Sequence, residues 1–289
     1  MLQVDRLYEA VAQRGPVCVG LDTDPSYLPE GFAQPGRTAG ENVFFFNREI
    51  IEATKEAAAC FKVQIAYYEA LGLDGLRAYK DTVEYLRAQG LPVIADVKRG
   101  DIAKTAEMYA KAHLDGEFEA DFVTLAPYMG LDSIEPYAQY MRENGKGVFV
   151  LCRTSNPGAK DFEYELLADG RHVYDMVGDK LSAMGKDYMG AHGYSSLGLV
   201  IGGTHIEEAK EIRAKYRDSF FLIPGYGAQG ATAKDIANAF NDDGLGAIVN
   251  SSRGIMCAWK KTGNNGEDYK EAARAEAIRM RDDIVNAIK

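Results

Sequence analysis

The chain has no run approaching the ~18 consecutive apolar residues of a membrane-spanning helix, so no membrane partner is expected. Its first residues, Met1-Leu2-Gln3-Val4-Asp5-Arg6-Leu7, carry polar and acidic groups where an export signal would have an apolar core. With Leu7 and Val11 they suit a short amphipathic helix instead. Cysteine is scarce: Cys18, Cys60, Cys152 and Cys257 match no zinc spacing, and the first three sit in apolar runs, where a thiol acts as a small buried hydrophobe. Lacking an export signal, the chain is expected in the reduced cytoplasm. His113, His172, His192 and His205 are scattered, and none pairs with Cys or Glu at ligand spacing, so no metal is expected. Basic excess is also missing. A formal net charge of −10 argues against a general nucleic-acid binder. It does not exclude an anionic small molecule, because a local cationic pocket overrides the global field. No Gly-x-Gly-x-x-Gly turn follows the first strand, as a dinucleotide fold would want, and there is no Pro- or Ser-rich linker, low-complexity tract or internal repeat.

What the chain does have is alternation. Its 289 residues, 46% hydrophobic and 26% charged, are enough for one large soluble domain. Short β-rich runs at Val17–Asp22, Cys60–Ile65, Pro92–Lys98, Asp121–Ala126, Gly147–Cys152, Leu197–Gly202, Phe220–Pro224 and Gly246–Asn250 read as strands. Helical patterns separate them at Glu41–Ala59, Gly75–Gln89, Ile102–His113, Ser133–Glu143, Val173–Met184, His205–Tyr216 and Thr232–Phe240, and Glu267–Ile288 closes the chain. Thr204 with Glu207, and Thr232 with Asp235, look like capping boxes. Ala277, Met280, Ile284 and Ile288 form one stripe of the last helix. Met129, Met141, Met176 and Met184 read as core filler, and Phe44, Phe45 and Phe46 as the face packing a helix onto the sheet. Eight βα units predict an α/β fold, a single-domain (β/α)8 TIM barrel over 1–289 with long loops near 22–40 and 153–172. A doubly wound open sheet is the alternative.

In such a barrel the reactive residues lie at the C-terminal ends of the strands. Asp96-Val97-Lys98-Arg99-Gly100-Asp101 falls there, with Asp96 and Lys98 on one face by the period of two. Alone, an Asp-x-Lys pair reads first as a surface ion pair. The company on the same rim shifts that reading. Lys62 and Gln64 lie on the preceding strand, and Asp22 ends the first. Ser155 and Asn156 open a long connection suited to contacting a polar ring and forming a lid. Pro224-Gly225-Tyr226-Gly227-Ala228-Gln229-Gly230 precedes a helix, and such a loop either cradles a phosphate or merely turns. Arg253, one strand on, favours phosphate, since barrels often bind it after strands 7 and 8 and an arginine fork suits the dianion.

These motifs, in this order from strand 1 to strand 8, resemble orotidine 5′-phosphate decarboxylase, and in loop lengths its longer bacterial branch. The resemblance implies a cofactor-free, metal-free decarboxylation of orotidine 5′-monophosphate to uridine 5′-monophosphate. Lys98 would donate the proton to C6 of the pyrimidine, and Asp96 would lie beside the substrate carboxylate. Lys62 and Asp101 would complete a Lys-Asp-Lys-Asp array. In this family the second aspartate reaches into the partner's site, which implies a homodimer with shared active sites. Asp22 and Thr105 would hold ribose hydroxyls, Ser155 would read the pyrimidine edge, and Gln229 and Arg253 would bind phosphate. Ile102, Asn156, Pro157 and Gly227, inside the same motifs, join the substrate-binding set. Two rivals remain open: a sugar-phosphate lyase or aldolase sharing the Asp-x-Lys core and using Mg²⁺, and a catalytically dead barrel that binds a phosphate ligand.

Overall fold

A computed structural model of the chain describes residues 1–203, 206–226 and 232–289. Among these, eight parallel strands close into a barrel: β1 (Val17–Gly20), β2 (Cys60–Gln64), β3 (Val93–Arg99), β4 (Phe122–Leu125), β5 (Gly147–Arg153), β6 (Ser195–Ile201), β7 (Ser219–Ile223) and β8 (Ala247–Ser251). Each pairs with the next in sequence and β8 returns to β1, so the open-sheet alternative is ruled out. Closure explains the sequence signal. Strands buried on both faces read as nearly continuous apolar runs, and every residue of β1, β4, β6, β7 and β8 is buried.

The apolar residues divide into two clusters. Outward-facing Val17, Val19, Val63, Val93, Ala95, Val123 and Val150 pack under the surrounding helices. Inward-facing Cys18, Cys60, Ile94, Phe122, Phe149, Phe220 and Ile248 fill the barrel. Val4, Leu7, Ala10 and Val11 of the helix Gln3–Arg14 join this inner cluster, and Arg14 Nε donates to the Ala58 carbonyl just before β2 at 2.7 Å. The N-terminal helix thus closes the bottom of the barrel. The opposite mouth is left to polar groups.

Two glycines set the packing inside. Phe122 stands level with Gly147 on the next strand, and Phe149 level with Gly198 on the one after. A Cβ on Gly147 would lie 2.4 Å from the Phe122 ring, and one on Gly198 2.6 Å from the Phe149 ring. Each large ring occupies space that its neighbour leaves empty.

The elements differ from the sequence reading mainly at their ends. The helix expected from Glu41 starts at Ala39, because Thr38 and Glu41 form a capping box: Thr38 Oγ1 accepts from the Glu41 N–H at 3.2 Å, and the Glu41 carboxylate accepts from the Thr38 N–H at 2.7 Å. A short helix, Ile65–Glu69, precedes Gly72–Ala88 and was not expected. Thr232 caps Ala233–Ala237 as expected, while the Thr204 box lies outside the described residues. Met141 is buried, but Met129 sits in an exposed turn rather than the core. Phe46 packs inward, whereas Phe45 lies under the Arg37 and Arg48 guanidinium groups.

The substitution Gly198→Ala should overpack the ring of Phe149 and lower unfolding stability by about 1–3 kcal/mol. Urea denaturation of the variant against wild type checks this.

Candidate active site

Asp96 is on the inward face of β3, two residues above Ile94. At the mouth Asp96 is 5% exposed and its carboxylate is fully engaged. Oδ2 accepts from Lys62 Nζ at 2.7 Å and Gln64 Nε2 at 2.9 Å, and Oδ1 accepts from Lys98 Nζ at 2.6 Å and Thr124 Oγ1 at 2.9 Å. Lys62 also donates to Asp22 Oδ1 at 3.1 Å. Within one chain, then, the charges run Asp22–Lys62–Asp96–Lys98. Side-chain exposure rises along this row from 5% at Lys62 to 45% at Lys98, so the inner pair is fixed and the outer ammonium is open to solvent.

A local break in the ladder places Lys98. The β3–β4 register shifts between Ala95 and Arg99, and Lys98 has φ +44°, a left-handed conformation costly for a side chain of its size. Thr124 holds this bend. Its Oγ1 accepts from the N–H groups of Val97 (3.0 Å) and Lys98 (2.9 Å) while its hydroxyl proton goes to Asp96. Sequence reasoning missed Thr124. The only available signal was its inward place on β4, two residues after Phe122.

The charges are mutually dependent. Burial alone would favour the neutral forms of Lys62 and Asp96. The attraction of Asp96 and Asp22 outweighs it and holds Lys62 well above the ordinary lysine range. Lys62 and Lys98 likewise hold the Asp96 carboxyl well below the ordinary carboxylate range.

Of the other expected residues, Asp101 does not complete the array within its own chain. It makes no hydrogen bond to either lysine among the described residues, and its Oδ1 accepts from the adjacent Ile102 N–H at 2.8 Å. Ile102 and Thr105 stand exposed at the start of the helix Ala103–Leu114. Ser155 is half-buried beyond β5, with Asn156 and Pro157 exposed beside it, and all three line a cleft of about 270 Å³. Arg253 opens the turn Arg253–Met256, exposed and with no carboxylate ion pair among the described residues. Gly227 and Gln229 lie outside the described residues. Among the described residues no cluster of three or more His, Cys, Asp or Glu side chains forms a metal site.

The connection over 153–172 is anchored by contacts the sequence did not reveal. Arg153 is 1% exposed, and its guanidinium donates to Tyr164 Oη at 2.6 Å, to the Glu208 carboxylate at 2.7 Å and to the Gly202 carbonyl at 3.1 Å. The Glu163 carboxylate accepts from both the N–H and hydroxyl of Thr154, at 2.7 and 2.6 Å. These contacts fix the base from which Ser155 projects.

Because folding depresses Asp96, its stabilising contribution is present above its ordinary value of 3.8 and is lost as pH falls through its folded value. Raised Lys62 contributes below its ordinary 10.5 and loses that contribution as pH rises through its folded value. Asp96→Asn should therefore cost about 3 kcal/mol across the interval between those two pH values. The gap to wild type should narrow below pH 3.8, as urea unfolding over a pH series will show.

Comparison with known proteins identifies the family of this chain. Residues 15–266 match the model of the "Orotidine 5'-phosphate decarboxylase / HUMPS family". The orotidine 5′-phosphate decarboxylase of Clostridium perfringens (strain SM101) is 59% identical over 284 residues, covering 98% of each chain. That of Clostridium tetani is 55% identical, covering 99% of each. Among solved structures, the OMP decarboxylase of Leishmania donovani superposes with a TM-score of 0.78 at 32% identity, covering 100% of this chain and 98% of its own. A closed barrel with Asp22, Lys62, Asp96 and Lys98 gathered at its mouth, matched over nearly its whole length by such relatives, belongs to the orotidine 5′-phosphate decarboxylase / HUMPS family.

Proposed function

We propose that this protein decarboxylates orotidine 5′-monophosphate to uridine 5′-monophosphate, in pyrimidine biosynthesis and without a cofactor. The observation that carries the reading is the Lys98 ammonium, held 2.6 Å from a buried Asp96 and open to solvent at the barrel mouth. The full-length relatives named as decarboxylases favour this reading over the sugar-phosphate lyase.

In this reading the substrate carboxylate lies beside Asp96. The bond from C6 to the carboxyl carbon breaks, carbon dioxide leaves, and the electron pair stays on C6. Lys98 stabilises that carbanion electrostatically and then gives it a proton, to be recharged from solvent. Lys62 keeps Asp96 ionised throughout. Asp22 and Thr105 hold ribose hydroxyls, Ser155 reads the pyrimidine edge, and Ile102, Asn156 and Pro157 line the bound nucleotide. Gly227, Gln229 and Arg253 take the phosphate. Binding energy at that remote phosphate holds the 153–172 segment over the ring and excludes water, so the fixed charges act in a low dielectric. Asp101 serves the partner's site in a homodimer. Its failure to reach Lys62 or Lys98 in its own chain, and the exposure of Ile102 and Thr105 beside it, support that assignment. The four cysteines are free, as suits the cytoplasm.

Wild-type protein should consume orotidine monophosphate, followed by absorbance, in the presence of EDTA. No turnover overturns the decarboxylase reading, and loss of turnover with EDTA overturns its independence of metal. Lys98→Ala should lower kcat by more than about a hundredfold. Arg253→Ala should lower kcat/KM at least about tenfold, chiefly through KM, and unchanged constants would remove it from the phosphate site. Lys98→Ala and Asp101→Ala proteins, mixed under conditions of subunit exchange, should regain activity that neither has alone. Continued inactivity of exchanged dimers would place Asp101 outside a shared site.

A further inference from the structure

We propose that Ser252 is a positioning residue: its hydroxyl, braced by Asn250, holds Asp22 in the orientation that pairs it with Lys62. Ser252 Oγ donates to Asp22 Oδ2 at 2.8 Å, while Asp22 Oδ1 accepts from Lys62 Nζ at 3.1 Å. The two oxygens of one carboxylate are thus held from opposite sides. Among the described residues no other group donates to Oδ2.

The direction of the Ser252 hydroxyl is itself set. Asn250 Nδ2 donates to Ser252 Oγ at 3.3 Å, leaving the serine's single proton for Asp22. Asn250 is 6% exposed inside the barrel, and its Oδ1 accepts from Cys18 Sγ at 3.6 Å. Cys18, Asn250, Ser252 and Asp22 therefore form one polarised row leading into the charged array. Gly20 makes room for it. A Cβ there would lie 2.0 Å from Ser252 Oγ and 2.8 Å from Asn250 Oδ1, so any larger residue on β1 would evict the strut.

Ser252 also faces the other way. Its carbonyl accepts from the N–H groups of Ile255 (3.1 Å) and Met256 (2.9 Å), opening the turn that begins at Arg253. One residue thus fixes the strand-1 carboxylate with its side chain and launches the arginine's turn with its backbone. The end of the site assigned to ribose is tied to the end assigned to phosphate. This inference rests on the proposed role of Asp22 for its kinetic effect, though not for its geometry.

The experiment compares Ser252→Ala, Asp22→Asn and the double variant in the full-length enzyme, with kcat and KM for orotidine monophosphate, and adds a crystal structure of Ser252→Ala. Ser252→Ala should raise KM about tenfold, the loss expected for one charge-assisted hydrogen bond, and the double variant should be no worse than Asp22→Asn. In the crystal the Asp22 side chain should leave Lys62. A merely structural lesion would lower kcat through the active fraction and leave KM unchanged. Unchanged KM, additive losses, or Asp22 still in place in Ser252→Ala would each overturn the proposal. If wild type shows no turnover, the decarboxylase reading falls and the position of Asp22 in the crystal alone decides the role of Ser252.

Discussion

The buried ion pair between Lys62 and Asp96 is the constraint around which the mouth of this barrel is arranged. Removing two charges from water costs several kcal/mol each unless geometry and further hydrogen bonds compensate. Here compensation is complete for the carboxylate, whose two oxygens accept four donors from β2, β3 and β4. Lys62 in turn bridges two carboxylates. Such a pair needs strands in fixed register, and the closed barrel supplies it: Lys62 stands level with Ile94, and Gln64 with Asp96.

The same constraint accounts for the irregular backbone nearby. A regular strand would carry Lys98 onward along the barrel axis. The register shift and the left-handed conformation at Lys98 turn it back onto Asp96, and Thr124 fills the gap that opens in the ladder. Strain at that point is held by a neighbouring strand rather than by the turn itself. The result is a row of alternating charge, buried and rigid at Lys62 and open at Lys98. That is the arrangement a site needs if an ammonium is to meet a developing negative charge without first reorganising.

The N-terminal end of the barrel takes the opposite course. The helix Gln3–Arg14 and the staggered Phe–Gly pairs fill that half with apolar groups. The division of labour, stability below and polar chemistry above, is how a (β/α)8 barrel supports a costly charge cluster.

Much of this was legible in the sequence. Runs buried on both faces announce their strands, so all eight were found to within a few residues. The period of two predicted Asp96 and Lys98 on one face, although a break in the ladder at Lys98 brings them together, and adjacent strands brought Lys62 beside them. Helix ends were less legible, because a cap such as Thr38 with Glu41 depends on side-chain hydrogen bonds that leave little compositional trace. What only the tertiary structure decided is which carboxylate meets which lysine. Asp101 is three residues from Lys98 in sequence, yet its carboxylate accepts from the neighbouring Ile102 N–H, while Asp22, forty residues from Lys62, arrives through the β1–β2 pairing. Thr124, Arg153 and Ser252 likewise gain their roles from partners on other strands and loops. Local alternation is written in neighbouring residues, but an ion pair or a hydrogen-bonded strut depends on where barrel closure brings distant ones.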